Sequence, residues 1–420
     1  MKYICQEKQY PNGLSLILKQ TPDRFGASLK IQMAVGSEDE TDEFGLSHLL
    51  EHELFKGTSE YSQEELSGAF MMESSAPDAS TSSEFTVFKS TFPKTKLEKN
   101  FELWSKMFFD STFEEKALEA EKRVVLEEIK MHLDDPTSLV FDNLIANCYK
   151  GVGIANRIAG DPKLLKKVTR EDLIAYKNAH YTASNCTIAV VGDYAFDEVK
   201  ALAEKYFVNQ FGAKKHKRKE FSKNMELLPA KVFAKKDIEQ ANICIGLNAP
   251  KYNTIERFAY GIISAILGGS MNSRLFCTLR NKLSLCYNIF SEEVTYINNG
   301  ISVIDFATTN EFAEKATKAV FDVINEVLTS GVTDAEFVAV KNMLINRMKM
   351  AEDNPTIHAK YHFITGKIID MNELIDQISA LTKEKCEDVY RKYAKLSKAC
   401  VSYVGNKSKM NLDFINEYKN

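Results

Sequence analysis

The chain alternates between short apolar runs, which are typical of strands, and longer stretches in which apolar residues recur every three or four positions, as in helices. Residues 10–13 form a Tyr-Pro-Asn-Gly turn signal, and the apolar run 14–18 follows it directly. A second apolar stretch covers residues 27–35. We therefore predict a β-hairpin over residues 10–36 and a helix that begins near Phe44-Gly45.

Three further elements are predicted in the first half of the chain. The segment 84–92 is rich in aromatic and β-branched residues and predicts a strand. The segment 113–133 has the pattern of a long helix, which should end before Pro136 because proline restricts the residue that precedes it. The apolar run 186–193 predicts a buried strand that ends in a turn.

The second half of the chain repeats this order in outline. Strand-like runs at 241–247 and 301–304 flank two predicted helices around Gly268-Gly269, and the run 399–405 is similar in kind to 186–193. The pattern predicts an α+β protein of two similar halves, each a mostly antiparallel sheet covered by helices, joined by a basic linker. The predicted boundaries are 1–210 for the N-terminal domain, 211–224 for the linker and 225–420 for the C-terminal domain.

Composition and charge narrow the classes of function. The 420 residues are 44% hydrophobic and 27% charged, as in a globular protein of two domains, and the formal net charge is −4. So small a charge gives no general attraction to nucleic acid or to anionic membranes. The local basic run at 214–219 is interpreted as a solvated linker rather than a nucleic-acid patch, because it lies between the predicted domains.

The sequence carries no visible targeting signal. No apolar core follows Lys2, as it would in a signal peptide, and no uninterrupted apolar run is long enough to span a bilayer. The eight cysteines show no Cys-x-x-Cys spacing. We therefore expect reduced, mostly buried thiols, a cytoplasmic location and no membrane partner, with a processed exported form as the alternative.

The strongest chemical signal is the pentapeptide His48-Leu49-Leu50-Glu51-His52. On a helix, His48 and His52 lie one turn apart on the same face, where two imidazoles can bind one zinc ion. Glu51 lies close to that face and can take a proton from a water molecule that the metal activates. The order H-x-x-E-H is the inverzincin motif. The alternative is a pair of histidines on an ordinary amphipathic helix.

A catalytic zinc site needs a third protein ligand, which we expect from the predicted helix at 113–133. Glu121 and Glu128 lie two turns apart on an otherwise apolar stripe of that helix. Carboxylates in such a position need a partner or a metal, because burying an unpaired charge is costly. Glu127 lies about 100° round the helix and is expected to be a solvated neighbour. A surface helix dense in Glu and Lys is the alternative.

These motifs resemble the pitrilysin/insulinase-type zinc peptidases, in particular the half-length branch similar to mitochondrial processing peptidase and its bacterial relatives. The resemblance rests on Gly36-Ser37 and on the segments 45–52, 54–58 and 121–129. It implies one zinc ion per chain, with Glu128 as the third ligand. It also implies that Glu121 is a supporting acid that orients a ligand.

The second half carries a further match at residues 268–276, followed by Arg280 and Tyr287. The resemblance implies that this Arg and Tyr help to bind the substrate and stabilise the tetrahedral oxyanion. Donors aimed at developing negative charge are effective in a closed, dry site. From the residues alone, Arg280 would be a surface arginine and Tyr287 a core aromatic residue.

The chain departs from the family at residues 74–79. The family often has Gly-Gly-x-x-Asn-Ala before the edge strand that receives the peptide, whereas this chain has Ser-Ser-Ala-Pro-Asp-Ala. We expect Asp78 and Ala79 to bind the substrate backbone, with the peptide paired to an edge strand near residues 79–88. An ionised Asp78 only accepts hydrogen bonds, which puts the substrate preference in question.

A second histidine pair, His358 and His362, also has helical spacing. It lacks an internal glutamate, and no third ligand is evident for it. We expect these two histidines to be structural.

Together these features predict a zinc-dependent endopeptidase that hydrolyses peptides or unfolded segments held extended in an enclosed chamber. Zinc on His48, His52 and Glu128 would polarise the scissile carbonyl and bind water, and Glu51 would carry the water proton to the leaving amine. Two alternatives are a non-catalytic assembly subunit of the same family and a structural metal protein.

The resemblance also bears on assembly. Full-length members of the family join four similar domains, with the zinc motif in the first and the Arg/Tyr pair in the last. This chain has two halves, so two chains would restore four domains. We expect a homodimer, with a heterodimer containing a related subunit as the alternative.

Overall fold

The computed structural model describes residues 4–42, 44–351 and 355–418. Within these ranges the strands form a six-stranded and a five-stranded sheet. The strands are β1 (Ile4–Gln9), β2 (Ser15–Gln20), β3 (Gly26–Met33), β4 (Ala76–Thr81), β5 (Thr86–Pro93), β6 (Cys186–Gly192), β7 (Lys231–Lys235), β8 (Gln240–Asn248), β9 (Ile289–Thr295), β10 (Gly300–Thr309) and β11 (Cys400–Gly405).

The helices cover the remaining regular structure. The α-helices are α1 (Leu46–Glu53), α2 (Gln63–Met72), α3 (Leu97–Phe109), α4 (Glu115–Asp134), α5 (Pro136–Cys148), α6 (Pro162–Leu165), α7 (Arg170–His180), α8 (Phe196–Ala203), α9 (Asn209–Phe211), α10 (Glu256–Gly268), α11 (Ala313–Ser330), α12 (Asp334–Ala351), α13 (Pro355–Thr365), α14 (Met371–Ser379) and α15 (Lys383–Tyr393). Two segments, Glu204–Val208 and Phe276–Lys282, are π-helical.

The chain folds into two compact units that are not continuous along the sequence. Unit 1 comprises Met1–Ile129, Asn156–Phe221 and Ala351–Ile369, and unit 2 comprises Lys130–Ala155, Ser222–Met350 and Asp370–Asn420. The main boundary falls inside the predicted linker. Each unit nevertheless includes a segment from the opposite half, namely α13 in unit 1 and α5 in unit 2. The predicted domains were continuous and did not anticipate this exchange.

The sheet of unit 1 has the order β1-β2-β6-β3-β5-β4. The pair β2–β6 is parallel, and the other neighbours are antiparallel. The predicted hairpin over residues 10–36 is therefore wrong, since the turn at 10–13 joins β1 to β2 and β6 lies between β2 and β3. Every residue of β6 is buried, which explains its central place in the sheet.

The sheet of unit 2 has the order β7-β11-β8-β10-β9. Its one parallel pair is β7–β11, and its other pairs are antiparallel. This order repeats the unit 1 order from β2 to β4, with the fully buried β11 in the place of β6. Two helix-covered, mostly antiparallel sheets agree with the predicted fold class.

Aromatic packing holds the core of unit 1 together. Phe101, Trp104 and Phe108 recur on the buried face of α3 at helical spacing. Trp104 packs edge-on against Phe88, and its Nε1 donates a hydrogen bond of 2.9 Å to Ser90 Oγ. Truncating so large a buried side chain to alanine costs about 3–5 kcal/mol.

The helix α5 was missed from the sequence. Helix α4 ends at Asp134 as predicted, but the chain starts a new helix at once, because Asp135 caps it and Pro136 occupies its first turn. The buried face of α5 belongs to an apolar cluster that includes residues of β8, β10 and β11. Within this cluster Cys148 and Cys400 form a disulfide, with Cα atoms 6.4 Å apart, which corrects the expectation that all cysteines are free thiols.

The predicted linker has no regular secondary structure after Phe211, but it is not solvated throughout. Lys219 Nζ lies 2.8 Å from Glu38 Oε1 and 2.7 Å from Asp39 Oδ2, with its side chain almost completely buried. The Arg218 guanidinium stacks on the Phe363 ring at 3.7 Å. Part of the basic run is therefore an anchor within unit 1. No helix in the described ranges is both long and apolar enough to cross a membrane.

Candidate metal centre

The helix that carries the pentapeptide begins at a glycine held by a buried carboxylate. Gly45 has φ 73°, and a Cβ there would lie 2.5 Å from the Ala159 carbonyl oxygen. The carboxylate of Glu40 accepts hydrogen bonds from the backbone nitrogens of Gly45 and Ser47, at 2.7 and 2.9 Å. A carboxylate at this end satisfies free N–H groups and opposes the helix dipole. The first turn of α1 is thereby fixed.

Three predicted ligands converge on one point. His48 Nε2 lies 3.3 Å from His52 Nε2, and Glu128 of α4 brings Oε1 to 3.8 Å from His48 Nε2 and Oε2 to 4.0 Å from His52 Nε2. Metal–ligand bonds of about 2.0–2.2 Å in a tetrahedral site separate neighbouring ligand atoms by roughly 3.3–3.6 Å. The observed separations are close to these values, so the residues present fit a zinc ion.

Glu121 supports the site through a contact with the Nδ1 atom of His52. Its Oε1 lies 2.8 Å from His52 Nδ1, and its Oε2 lies 2.5 Å from Lys56 Nζ. Although burial opposes ionisation, the hydrogen bonds from His52 and Lys56 hold the pKa of Glu121 below its usual value. This pair fixes the His52 ring and directs Nε2 toward the other ligands. Glu121 is thus placed where a supporting acid would contact His52.

The electrostatics of the site favour a cation at His52. Burial disfavours the imidazolium, yet the hydrogen bond and the charge of Glu121 raise the pKa of His52 above its usual value. The same negative surroundings that hold a proton favour a divalent metal at Nε2. Glu127, by contrast, is exposed, which agrees with its predicted place as a solvated neighbour.

Glu51 lies outside the group of three ligands and is held by a residue that the sequence did not reveal. Thr81 Oγ1, on β4, donates a hydrogen bond of 2.5 Å to Glu51 Oε2. Burial raises the pKa of Glu51, and the Thr81 hydrogen bond opposes this effect. The only available signal for Thr81 was its place two residues after Ala79. A buried acid with a raised pKa beside a metal-binding group is suited to proton transfer.

A second buried acid was also missed. Glu53 is completely buried at the end of α1, and burial, followed by the negative charge of Glu121, raises its pKa to about 7. It lies on α1 next to His52, outside the group of three ligands. Sequence periodicity did not distinguish Glu53 from an ordinary surface glutamate.

The predicted substrate-binding residues Asp78 and Ala79 lie on β4, which is the edge strand of its sheet. The predicted bounds of the edge strand, near residues 79–88, are wrong. That range spans the β4–β5 turn, and β5 lies inside the sheet. Asp78 Oδ2 forms an exposed ion pair of 2.8 Å with Lys89 Nζ. The side chain of Asp78 is thus held on the surface by the neighbouring strand.

Arg280 and Tyr287 are brought together in unit 2. The Arg280 guanidinium lies 4.8 Å from the centre of the Tyr287 ring and 4.7 Å from that of Phe276. Tyr287 is 80% exposed, so the residue-based prediction of a core aromatic is wrong. An exposed phenol beside a guanidinium is available to a ligand.

The second histidine pair lies on α13 and is buried. His362 Nε2 lies 2.9 Å from Glu7 Oε2, and burial lowers the pKa of His362. Across the described ranges, one group of three or more side chains could hold a metal ion, and it consists of His48, His52 and Glu128. The structural interpretation of His358 and His362 agrees with this placement.

Two family models match consecutive parts of the chain. The model described as insulinase (peptidase family M16) matches residues 15–162, which include every proposed metal ligand. The model described as the peptidase M16 inactive domain matches residues 167–344, which include Arg280 and Tyr287.

Relatives and solved structures cover nearly the whole chain. An uncharacterized zinc protease of Bacillus subtilis is 28% identical over 396 residues, covering 93% of this chain and 94% of the relative. A protein of the same description from Rickettsia felis is 27% identical over 400 residues, with 93% and 94% coverage. Crystal structures of a peptidase M16 inactive domain from Pseudomonas fluorescens and of a protease from Helicobacter pylori both have TM-scores of 0.88 at 19% identity, covering 97% and 96% of this chain and 99% of each structure.

Proposed function

We propose that this chain, which belongs to the insulinase (M16) family of peptidases, is a zinc-dependent endopeptidase acting on peptides or unfolded segments. The observation that carries the proposal is the convergence of His48, His52 and Glu128 near the carboxylate of Glu51, which is not one of the three ligands. A closed structural zinc site has four protein ligands, whereas three ligands beside a buried acid are typical of catalytic sites.

His48 and His52 would hold zinc through Nε2, and Glu128 through its carboxylate. When bound there, zinc supplies Lewis-acid activation of water and of the scissile carbonyl. Glu121 fixes the His52 tautomer by its contact with Nδ1, so that Nε2 is left as the donor atom.

Glu51 moves the proton in this proposal. Thr81 occupies Oε2, so Oε1 accepts the proton of the attacking water and later delivers it to the nitrogen of the leaving amine. The raised pKa of Glu51 brings it closer to neutral pH, where this acid must both accept and release a proton. Thr81 also links β4, where the peptide would pair, to the acid that acts on it.

The substrate would bind as an extended strand along the free edge of β4. An edge strand offers unpaired N–H and C=O groups, and an extended peptide can pair with them. Such pairing depends little on side chains, which suits a peptidase of broad specificity. Arg280 and Tyr287 would serve as donors to the peptide and to the oxyanion.

Hydrolysis of a quenched fluorescent peptide tests this function. Purified protein stripped of metal should be inactive, and stoichiometric zinc should restore cleavage. No cleavage by either the metal-free or the zinc-loaded protein, together with intact folding, would favour the alternative of a non-catalytic assembly subunit. The match of residues 167–344 to a model described as inactive is the observation behind that alternative.

The proposal includes a homodimer in which Arg280 and Tyr287 of one chain act at the metal centre of the other. It is supported by the presence of both residue sets in a chain with two units. Glu51→Gln and the double variant Arg280→Ala/Tyr287→Phe should each be nearly inactive alone. Mixed after dissociation, they should recover up to about a quarter of wild-type activity if subunits exchange at random. No recovery despite demonstrated exchange would contradict the shared site.

A further inference from the structure

Unit 2 contains a polar cavity that the proposed reaction does not use. Its volume is about 450 Å³, and we call it the lysine pocket. It lies beside the start of α10, the β9–β10 turn and the end of α15. The residues that line it are Asn224, Met225, Glu226, Asn248, Ala249, Lys251, Thr254, Asn298, Asn299, Gly300, Lys392, Tyr393, Lys395, Ser397 and Lys398.

The charges of the lysine pocket do not balance. Two of its four lysines have carboxylate partners: Lys392 Nζ lies 2.9 Å from Glu256 Oε1, and Lys398 pairs with Glu226. Lys251 and Lys395 are half-buried, and neither ammonium group has an ion-pair partner in the described part of the chain. An anionic ligand would supply the counter-charge that these two ammonium groups lack.

Neutral donors add to the positive lining. Asn248 Oδ1 accepts a hydrogen bond of 2.9 Å from the backbone nitrogen of Leu227. The Nδ2 group of Asn248 has no hydrogen-bond partner among the described residues. Two hydrogen bonds fix the Asn299 side chain. Its Oδ1 accepts one of 2.8 Å from Met225 N, and its Nδ2 donates one of 3.0 Å to the Lys223 carbonyl oxygen. These amides hold one wall of the pocket in place. A rigid wall with a spare amide donor is what an oxyanion ligand needs.

We propose that the lysine pocket binds a small molecule with two or more phosphate or carboxylate groups. The two unpaired ammonium groups would each pair with an anionic group, and Asn248 Nδ2 would donate to one of their oxygens. The positive charge of the pocket is a local feature, since the whole chain has a formal net charge of −4. A local cavity of this size fits a metabolite and does not extend along a polymer.

Isothermal titration calorimetry of the full-length, zinc-loaded protein at low ionic strength tests this site. Fructose 1,6-bisphosphate serves as the phosphate probe and tricarballylate as the carboxylate probe. We expect at least one to bind with one site per chain. In Lys251→Gln/Lys395→Gln the affinity should fall by about tenfold or more, because two charge-assisted contacts are lost.

The matched control is Lys214→Gln/Lys215→Gln, which removes the same charge from an exposed part of the linker. It should bind the probe within about twofold of wild type, since exposed charges are screened. An equal loss in both double variants would overturn the proposal in favour of general charge attraction. Unchanged binding in the pocket variant, or no binding of either probe to wild type at millimolar concentration, would also overturn it. These outcomes are independent of peptidase activity.

Discussion

The two units share a sheet order but not a chemistry. In unit 1 the connection between β3 and β4 contains α1, which presents two imidazoles and the Glu51 carboxylate. In unit 2 the corresponding connection, between β8 and β9, contains α10, whose buried positions are mostly apolar, with Tyr260 and Ser264 among them. The same architecture therefore carries two candidate metal ligands on a helix of one copy and a packing helix in the other. The fold alone therefore does not specify the site.

A second difference concerns the exchanged helices. The buried side of α5 packs into an apolar cluster against the sheet of unit 2. The sheet surface near α13 in unit 1 is polar, with buried Lys30, Gln32 and Thr187, and it offers only a small apolar cluster of Ile17, Ala189 and Ala359. Burying polar groups costs free energy unless they are well paired. Stability in the two units should therefore respond differently to substitution.

The largest effect is expected on peptide hydrolysis, when a buried acid of unit 1 is replaced rather than a buried acid of unit 2. Glu51→Gln should keep zinc and lower peptide hydrolysis by about a thousandfold, because the proton acceptor is lost. The matched control is Glu293→Gln on β9 of unit 2, a buried acid whose pKa burial raises to about 7. That variant should keep activity within severalfold. Near-normal turnover in purified Glu51→Gln would show that the role of this acid is wrongly assigned.

Zinc content should rank three of the five glutamates of α4. Glu128→Gln should lose most of its zinc, and Glu121→Gln should bind zinc about 10–100-fold more weakly because it only orients His52. Glu127→Gln is the control and should retain zinc fully, since this side chain is exposed. Metal analysis per chain after dialysis measures the ranking. Full zinc in Glu128→Gln would rule out this residue as third ligand.

Lys30→Met should stabilise unit 1. Lys30 is completely buried on β3, and burial lowers its pKa from 10.5 to about 6. At pH 7 the unfolded chain holds a proton that the folded chain lacks, so wild-type stability rises as the pH increases from about 6 toward 10.5. Removing the amine should add about 1–4 kcal/mol at neutral pH and flatten this dependence.

Denaturant unfolding at pH 7 and pH 9 measures the effect of Lys30→Met. Lys205→Met is the control, because the Lys205 side chain is 60% exposed. A destabilised Lys30→Met with unchanged pH dependence would mean that the ammonium group is satisfied in the fold and that the polar face near α13 carries no such cost.

The smallest expected effect lies in unit 2. Arg274 binds Glu336 through two hydrogen bonds of 2.8 Å, and this contact lowers the pKa of Glu336 to about 2. A lowered carboxyl pKa adds stability that is complete above the unfolded value of 4.5 and is lost as the pH falls toward 2. Glu336→Gln should cost about 1–3 kcal/mol at pH 7 and progressively less below pH 4.5.

The exposed Glu384→Gln on α15 is the control for this measurement. A loss in Glu336→Gln that stays constant between pH 7 and pH 3 would show that ionisation of Glu336 does not contribute to stability.

The sequence predicted the helix-borne ligands because helical spacing is local. His48, Glu51 and His52 share one turn, and the periodicity of α4 limited the third ligand to two glutamates. Thr81 could not be found in this way, because its contact with Glu51 depends on how β4 is placed beside α1. The exchange of α5 and α13 was missed because α5 was not predicted as a helix, and because the sequence pattern does not show which sheet covers a segment.

The X-ray absorption spectrum at the zinc edge of protein purified without added zinc tests whether α1 and α4 hold a zinc ion. We predict one zinc per chain, with nitrogen and oxygen neighbours at about 2.0–2.2 Å that include two imidazoles, and no sulfur shell. Such a spectrum should disappear in His48→Ala/His52→Ala protein. A sulfur shell at about 2.3 Å, or an unchanged spectrum in the double variant, would place the metal elsewhere and contradict a zinc centre on α1.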